Sequence, residues 1–145
     1  MRREGFTLVE LIVVLAILAG IAALVAPSFS RTVASARLRT AASDVRTTLA
    51  RGRALAVAAT KERTVAFDLS RGEFGVDNEA VRRLPETIRL GAVLPGEGRQ
   101  EGGSVRVRFF PDGSGEEVEI SVTAEDGGRL RVTVDPLTGL SEAGS

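Results

Sequence analysis

The first hydrophobic segment of the chain is a run of twenty residues, 11–30, without a charged side chain. At about 1.5 Å per residue, a helix of this length spans about 30 Å, the thickness of the hydrocarbon core of a bilayer. Glu10 stands at the N-terminal edge of the run, and Arg2 and Arg3 precede it. Because positive residues favour the cytoplasmic side, the pattern predicts a membrane helix with a cytoplasmic N-terminus and the remaining chain beyond the membrane.

Two positions weaken a helix within this run. Pro27 removes a helical hydrogen bond and clashes with the carbonyl oxygen four residues earlier, so we expect a kink or local melting at residues 25–27. Gly20 is a second, weaker point because glycine is a poor helix former.

From Arg31 onward, apolar residues recur at spacings of three and four, which is the period of an amphipathic helix. The apolar stripe of this helix consists of Leu38, Ala42, Val45, Leu49, Gly52 and Ala56. Its arginines lie mostly off that stripe, at Arg37, Arg39, Arg46, Arg51 and Arg53. We expect the helix to end within residues 59–62.

Beyond residue 62 the period of the hydrophobic positions changes from about 3.6 to two, which predicts strands. Residues 64–69 and 73–76 flank Ser70-Arg71-Gly72 and form a predicted hairpin. Residues 87–93 are a further predicted strand, and residues 94–103 form a predicted loop because they are rich in glycine, proline and charge. Three more strands are predicted at residues 104–110, 117–123 and 129–134, separated by glycine-containing turns.

The last three predicted strands alternate between apolar and charged residues. Their apolar positions are Val105, Val107 and Phe109, then Val118, Ile120 and Val122, then Leu130, Val132 and Val134. We expect these positions to cover the amphipathic helix. The opposite positions carry Arg106 and Arg108, then Glu117 and Glu119, then Arg129 and Arg131. This order predicts that the three strands pair consecutively as an antiparallel meander, with charge pairs across its solvent face.

The composition removes several kinds of chemistry. The chain has no cysteine and no histidine, so zinc sites and Cys/His nucleophiles are not available. A hard cation held by carboxylates is the one metal option. Asp112 and Glu116, with either Glu117 or Asp126, are candidates for a calcium site, but their spacing is poor and turn carboxylates are the simpler interpretation. We predict no metal, no cofactor and no catalytic residue.

Three interpretations of the N-terminal run compete. The first is a secretory signal removed after the run, for which Gly20-Ile21-Ala22 offers a weak small-x-small cleavage site. The second is a plain single-pass anchor. Neither explains why a carboxylate stands at the edge of the apolar run, because a charge in a bilayer is costly.

The third interpretation rests on the residues that precede the run. Arg2-Arg3-Glu4-Gly5 followed by Phe6-Thr7-Leu8-Val9-Glu10-Leu11 resembles the prepilin cleavage motif of type IV pilins and type II secretion pseudopilins. The resemblance implies that a prepilin peptidase cuts between Gly5 and Phe6 and that the new amino group of Phe6 is N-methylated. Glycine has no side chain, so the backbone at Gly5 can enter a tight protease cleft. Such a cut removes both N-terminal arginines and keeps the apolar helix.

The resemblance also implies a role for Glu10, whose carboxylate would meet the Phe6 amine of an adjacent subunit. An opposite charge favours the ionised carboxylate and offsets part of its desolvation cost. A pair within one chain is a second possibility, because four residues are about one helical turn. A carboxylate that only snorkels to the membrane surface is the third.

The C-terminal part resembles the GspH/FimT branch of the pseudopilins, which has an N-terminal helix and a β-rich head. The segments that carry this resemblance are Phe109-Phe110-Pro111-Asp112-Gly113 and Val134-Asp135-Pro136-Leu137-Thr138-Gly139. Many pilin heads end in a disulfide loop. The absence of cysteine therefore disfavours a typical major pilin.

The predicted fold is α+β and pilin-like: a long N-terminal helix, half membrane and half amphipathic, packed on an antiparallel β-sheet head. Four segments are expected along the chain: a prepilin leader at 1–5, a transmembrane and assembly helix at 6–30, an amphipathic helix at 31–62, and a β-rich periplasmic head at 63–145.

The predicted function is structural and not enzymatic: a minor pseudopilin of a type II secretion pseudopilus or of a type IV pilus-like filament. The expected partners are the prepilin peptidase, other subunits of the filament, the inner-membrane assembly platform and the lipid bilayer. The expected location is the bacterial inner membrane, with one span and a periplasmic head, and the filament after assembly. One alternative is a DNA-uptake minor pilin of the FimT type, and another is a membrane-anchored β domain that binds a soluble ligand.

The arginines of the amphipathic helix bear on the DNA alternative, because a basic helix can track phosphates. No aromatic residues interleave with these arginines, and the formal net charge of the chain is zero. The strand arginines also have predicted carboxylate partners within the chain. We therefore expect a solvated helix face that also packs on neighbouring subunits, and we expect no nucleic acid.

Overall fold

A long helix, α1 (Leu8–Ala59), precedes nine short strands in the part of the chain that the structure describes. The structure is a computed structural model that describes residues 7–77 and 79–144; the side chains of residues 24–31 lie outside the described ones. The strands are β1 (Arg63–Asp68), β2 (Glu73–Val76), β3 (Arg82–Arg83), β4 (Ile88–Leu94), β5 (Gly98–Gln100), β6 (Ser104–Phe109), β7 (Val118–Ala124), β8 (Arg129–Val134) and β9 (Ser141–Gly144). The chain divides into two compact units, one ending at Ala34 and one beginning at Ser35.

The C-terminus of α1 is closed by its own backbone. Thr60 has a left-handed conformation with φ of 47°. Its N–H donates to the carbonyl oxygen of Val57 at 3.2 Å, and Lys61 N–H donates to that of Ala56 at 3.1 Å. These two bonds are the Schellman arrangement that terminates many helices. The helix ends at Ala59, which confirms the predicted end within residues 59–62.

The predicted apolar stripe of the amphipathic helix is buried. All six of its members, Leu38, Ala42, Val45, Leu49, Gly52 and Ala56, are inaccessible to solvent or nearly so. A Cβ atom added to Gly52 would lie 2.5 Å from Val65 Cγ2 and 3.3 Å from Phe109 Cδ2. The close approach of α1 to β1 and β6 therefore requires glycine at this position.

The first sheet has four strands in the order β3-β2-β1-β6. β1 and β2 form the predicted hairpin, with Val65 opposite Val76 and Asp68 opposite Glu73. On its other side β1 pairs with β6 in antiparallel fashion, and this register places Val65 opposite Val107. β6 therefore forms an edge of this sheet.

The second sheet has five antiparallel strands in the order β5-β4-β7-β8-β9. The predicted pairing of the strands at 117–123 and 129–134 is confirmed as β7 with β8. The predicted pairing of the strands at 104–110 and 117–123 is wrong, because β6 pairs with β1 while β7 pairs with β4 and β8. After β6 the chain folds back at Gly115 and Glu116 and then crosses to the other sheet.

The charge pairs predicted between the strands at 104–110 and 117–123 are therefore also wrong. In the first sheet Arg106 lies opposite Ala66 and Arg108 opposite Thr64. In the second sheet Glu119 lies opposite Val93 and Thr133. Alternation along a strand determines which side chains share a face, but it does not select the neighbouring strand.

The alternation is confirmed where it predicted burial. Val105, Val107, Phe109, Val118, Ile120, Val122, Val132 and Val134 are buried, and Leu130 is half-buried. Together with the stripe of α1, the buried strand residues form a hydrophobic core between the helix and the two sheets. The α+β architecture, with the helix packed on antiparallel sheet, is confirmed.

Three short strands were not predicted. β5 lies inside the predicted loop at 94–103, β3 follows the first hairpin, and β9 lies at the C-terminus. Each has two to four residues, which is too short for a period of two to become visible in the sequence. The strand predicted at 87–93 is present as β4, displaced by one residue.

Candidate functional site

The N-terminus of α1 is capped by Thr7. Its Oγ1 atom accepts a hydrogen bond from Glu10 N–H at 3.2 Å, and its carbonyl oxygen accepts one from Leu11 N–H at 3.2 Å. Threonine followed three residues later by glutamate is the sequence pattern of a capping box. The cap puts Glu10 in the first turn of the helix, where the partial positive charge of the helix end stabilises a carboxylate. Sequence reasoning did not single out Thr7, although this Thr-x-x-Glu pattern before an apolar run was a readable signal.

Other residues predicted to act in this unit lie outside the described ones. Gly5 and Phe6 precede the described residues, so cleavage and N-methylation at these positions stay predictions. The pairing of Glu10 with the Phe6 amine stays a prediction for the same reason. The kink at Pro27 concerns a residue whose side chain lies outside the described ones, and it also stays a prediction.

The first part of α1 exposes apolar side chains on every side. The exposed residues are Leu8, Val9, Leu11, Ile12, Val13, Val14, Leu15, Ile17, Leu18 and Ile21. Successive residues of a helix are about 100° apart, so these positions surround the helix axis. A helix that is apolar all round has to be covered by lipid or by other protein.

A helix that crosses a membrane must be long as well as apolar. Within the residues whose side chains are described, no helical segment has both the length and the apolar character required to cross a membrane.

In the second unit, two turns of the head meet on one arginine of α1. Arg53 Nε donates to the carbonyl oxygen of Gly113 at 3.0 Å and to that of Thr138 at 2.7 Å. Gly115 N–H donates to the carbonyl oxygen of Pro136 at 3.2 Å and joins the two turns directly. One turn follows β6 and the other follows β8, and both contain segments that carried the sequence resemblance. These segments therefore share one structural role, which is to fasten both sheets to the helix.

An aspartate organises each of these turns. Asp135 Oδ1 accepts hydrogen bonds from Leu137 N–H at 3.0 Å, from Thr138 N–H at 2.8 Å and from the Thr138 hydroxyl at 2.9 Å. Asp112 Oδ1 accepts from the Ser114 hydroxyl at 2.6 Å and from Ser114 N–H at 2.9 Å. Hydrogen bonds to the charged form lower the pKa of a carboxyl. The pKa of Asp135 is accordingly lowered, mainly by Thr138, and the pKa of Asp112 is lowered by Ser114.

Of the remaining carboxylates considered for calcium, Glu116 and Asp126 make local contacts and Glu117 is exposed to solvent. Glu116 forms an ion pair with Arg108, and this hydrogen bond lowers the pKa of Glu116. Asp126 Oδ1 accepts a hydrogen bond from Gly128 N–H at 3.0 Å. Within residues 7–77 and 79–144, no three acidic side chains converge on a point where a metal ion could bind. These carboxylates are arranged as turn and ion-pair groups.

The arginines of the amphipathic helix fall into two groups. Arg51 Nε and Nη2 donate to the two carboxylate oxygens of Glu79 at 2.5 and 2.8 Å, which lowers the pKa of Glu79. Arg53 holds the two turns. Arg37, Arg39 and Arg46 are exposed to solvent. Two of the five arginines of the predicted basic face are therefore engaged within the chain, and the other three are exposed to solvent.

Replacing Arg53 with methionine is expected to lower the free energy of unfolding by about 1–3 kcal/mol, because two turn carbonyls lose their charged donor. Arg46→Met is the control, since Arg46 lies seven residues earlier on the same helix and its side chain is exposed. That change should alter the free energy of unfolding by less than about 0.5 kcal/mol. Chemical denaturation of the full chain in detergent, followed by circular dichroism, measures both. Equal losses would contradict the fastening role of Arg53.

Comparison with known proteins agrees with both parts of this description. Residues 1–26 match the family model of the prokaryotic N-terminal methylation motif. The chain is similar in structure to the minor pseudopilin EpsH from the Type 2 Secretion System of Vibrio cholerae, with a TM-score of 0.62 and 13% sequence identity over 74% of this chain and 94% of that one. A search of curated proteins found no significant match. The predicted pilin-like fold and the resemblance to pseudopilins are confirmed.

Proposed function

We propose that this chain is a minor pseudopilin: a structural subunit that is cut before its apolar helix, held in the inner membrane and then packed into a filament of the cell envelope. One observation carries the proposal. The first part of α1 is apolar on every side and begins within a matched N-terminal methylation motif. A filament whose subunits bury such helices against one another supplies the cover that the helix needs outside lipid.

Processing comes first in this proposal. A prepilin peptidase cuts between Gly5 and Phe6, and the amino group of Phe6 is then methylated. The cut leaves Thr7 in place as the cap of α1, because its hydrogen bonds run to Glu10 and Leu11, both of which the mature chain keeps. The mature helix therefore begins only two residues after the new N-terminus.

The membrane stage follows from the charges around the apolar run. Residues 11–30 would span the bilayer, with Arg2 and Arg3 on the cytoplasmic side before cleavage and the head in the periplasm. Extraction toward the inner-membrane assembly platform exchanges lipid for neighbouring helices. The kink at Pro27 gives the helix a point where it can bend or stretch during that exchange.

Glu10 directs the packing of subunits. Its carboxylate meets the methylated Phe6 amine of the neighbouring subunit and neutralises it inside the apolar bundle. Among the described residues no hydrogen bond or ion pair engages the Glu10 carboxylate, and its exposed side chain is available to a neighbour. A carboxylate or an amine that is withdrawn from water without its partner is costly, so the pair fixes the register of the helices.

The other partners follow from the fold. Similarity to a structural subunit supports a role without catalysis, with other pilin-like chains as the neighbours. Nucleic acid is not the expected partner. Arg51 and Arg53 are engaged within the chain, and Arg108 is ion-paired with Glu116, so a continuous basic track is not available.

The test of this proposal is Gly5→Leu in cells that also express a prepilin peptidase. The wild-type chain should lose residues 1–5 and gain one methyl group, as measured by the intact mass. The variant should stay at the precursor mass, because a leucine side chain occupies space that the protease cleft needs.

The matched control is Gly20→Leu, which makes the same change inside the apolar run, where an added Cβ meets no atom within 4 Å. This control should be cut normally. A wild-type chain that stays uncut would contradict the proposal and would support a plain anchored β domain. Normal cleavage of Gly5→Leu would remove the prepilin motif as its basis.

A further inference from the structure

One side of α1 carries a row of arginines at a spacing of seven residues. Arg39, Arg46 and Arg53 lie about two helical turns apart and therefore share a side of the helix, beside the buried stripe. Arg39 and Arg46 are exposed, while Arg53 is half-buried on the turn carbonyls. Between them the same side carries the small exposed residues Ser43 and Ala50. The row is therefore accessible to a partner, because only short side chains lie between its charges.

An apolar cleft adjoins this row. A cavity of about 310 Å³ lies between α1 and the start of β9 and is lined by Arg46, Ala50 and Leu140, among others. Leu140 is 53% exposed and Leu137, in the preceding turn, is 86% exposed. The turn is held by Asp135 and Arg53, and the Ser141 hydroxyl donates to the Arg46 carbonyl oxygen at 3.3 Å. Two leucines are therefore presented to solvent on a turn that is held by hydrogen bonds.

In the part of the chain that the structure describes, Arg39 and Arg46 of this row form no ion pair with a carboxylate. Asp44 is the one acidic residue of α1 from Ser35 to its end, and it is ion-paired with Arg82 at 2.8 Å. Glu142 follows Ser141 on β9 and is exposed. Within the described ranges 7–77 and 79–144, no ion pair joins Arg39 or Arg46 to Glu142 or to any other carboxylate. A surface with free cations beside exposed leucines is complementary to an acidic partner with an apolar side chain.

We infer that the Arg39–Arg46 side of α1, with the cleft at Leu140, docks an acidic segment of a different subunit of the same filament and not a second copy of this chain. This inference rests on the proposed function. A symmetric contact of this side with the same side of a second copy would bring arginines against arginines, which is repulsive. The partner segment places an apolar side chain in the cleft and carboxylates roughly 10 Å apart, the distance that seven helical residues span. Through this surface the chain would contact other subunits of the filament and not further copies of itself.

The experiment uses Ser43→Cys, which lies on the rim between the two arginines and is the chain's one cysteine. The thiol is labelled with benzophenone maleimide in membranes of cells that express the other filament subunits, and ultraviolet light fixes whatever lies beside it. We expect a crosslink to a peptide of another filament subunit that contains Asp or Glu. Adding Arg39→Glu and Arg46→Glu should lower its yield roughly tenfold or more, because attraction becomes repulsion.

The matched control adds Arg99→Glu and Arg129→Glu, which change the charge equally at exposed positions on β5 and β8. Its crosslink yield should equal that of the chain with Ser43→Cys alone. Replacing the crosslinked carboxylates of the partner by lysine should restore the yield of the Arg39→Glu, Arg46→Glu variant. Rescue of this kind requires direct pairing and is not expected from a misfolded head.

Several outcomes would overturn the inference. They are a crosslink between two copies of this chain, a crosslink that nuclease removes, and a yield that the double charge reversal leaves unchanged. Failure of the proposed function looks different. In that case the chain would stay uncut, and no subunit would be crosslinked from any position of α1.

Discussion

The full chain carrying Val107→Asp is expected to lose its folded head. Val107 lies in the middle of β6 with 0% of its surface exposed, opposite Val65 of β1. An aspartate there is a buried charge without a partner, which costs about 3–5 kcal/mol. A domain of this size has about 5–15 kcal/mol of total stability, so this cost is a large fraction of it. Thermal unfolding in detergent, followed by circular dichroism, should lose its cooperative transition, and trypsin should cut the head rapidly.

The control is the neighbouring change Arg106→Asp, which introduces the same residue on the exposed face of the same strand. We expect this change to lower the free energy of unfolding by less than about 1 kcal/mol. Equal damage from both changes would mean that the two faces of β6 are exchanged. That result would contradict the register of β1 and β6.

Glu10→Leu is expected to separate processing from assembly. The variant should insert and be cut normally, because Gly5, Phe6 and the apolar run are unchanged. It should then fail to enter the filament, because the neighbouring Phe6 amine is left in an apolar setting without its partner. Removing one member of a buried ion pair costs about 3–5 kcal/mol, which corresponds to a loss of incorporation of more than about a hundredfold. Intact mass measures the cleavage, and crosslinking to other filament subunits measures the incorporation.

Two further variants make this result specific. Glu10→Gln keeps hydrogen bonding but removes the charge, so its incorporation should be intermediate. Glu97→Leu makes the same change on an exposed loop and should be incorporated normally. Cleaved Glu10→Leu that crosslinks as well as the wild-type chain would contradict the pairing with Phe6. Accumulation of uncut precursor would instead make Glu10 a recognition residue of the peptidase.

The burial of side chains could be read from the sequence because it depends on local periodicity. Ala42, Val45 and Leu49 share one side of a helix at spacings of three and four, and Val105 and Val107 share one face of a strand at a spacing of two. The β1–β2 hairpin was also predicted, since its turn and both strands lie within fourteen residues. Patterns of this kind are complete within one element and need no knowledge of its neighbours.

The pairing of strands could not be read in this way. Ser104–Phe109 has the alternation of a half-buried strand, and nothing in that pattern distinguishes β1 from β7 as its neighbour. The charge order of the last three strands suggested β7, yet exposed charge pairs contribute little energy and do not decide a sheet. Packing of α1 between distant segments decides it, and this is a property of the whole fold.

The residues of the candidate site were also only partly predictable from the sequence. Glu10 could be predicted because a lone carboxylate at the edge of an apolar run is conspicuous, whereas Gly5 and Phe6 depended on a resemblance. The role of Arg53 could not be predicted, because its two carbonyl partners lie 60 and 85 residues away in the sequence. The two turn motifs were visible as motifs, but only the structure shows that they meet on this arginine.

The central claim is that the mature chain leaves the membrane as part of a filament. The most direct test is to shear filaments from cells that overproduce the filament's other subunits and to measure the intact mass of this chain in the sheared fraction. We expect a chain that begins at Phe6 with one added methyl group and that copurifies with the other subunits. A chain found only in the membrane fraction, at the mass of the uncut precursor, would contradict it.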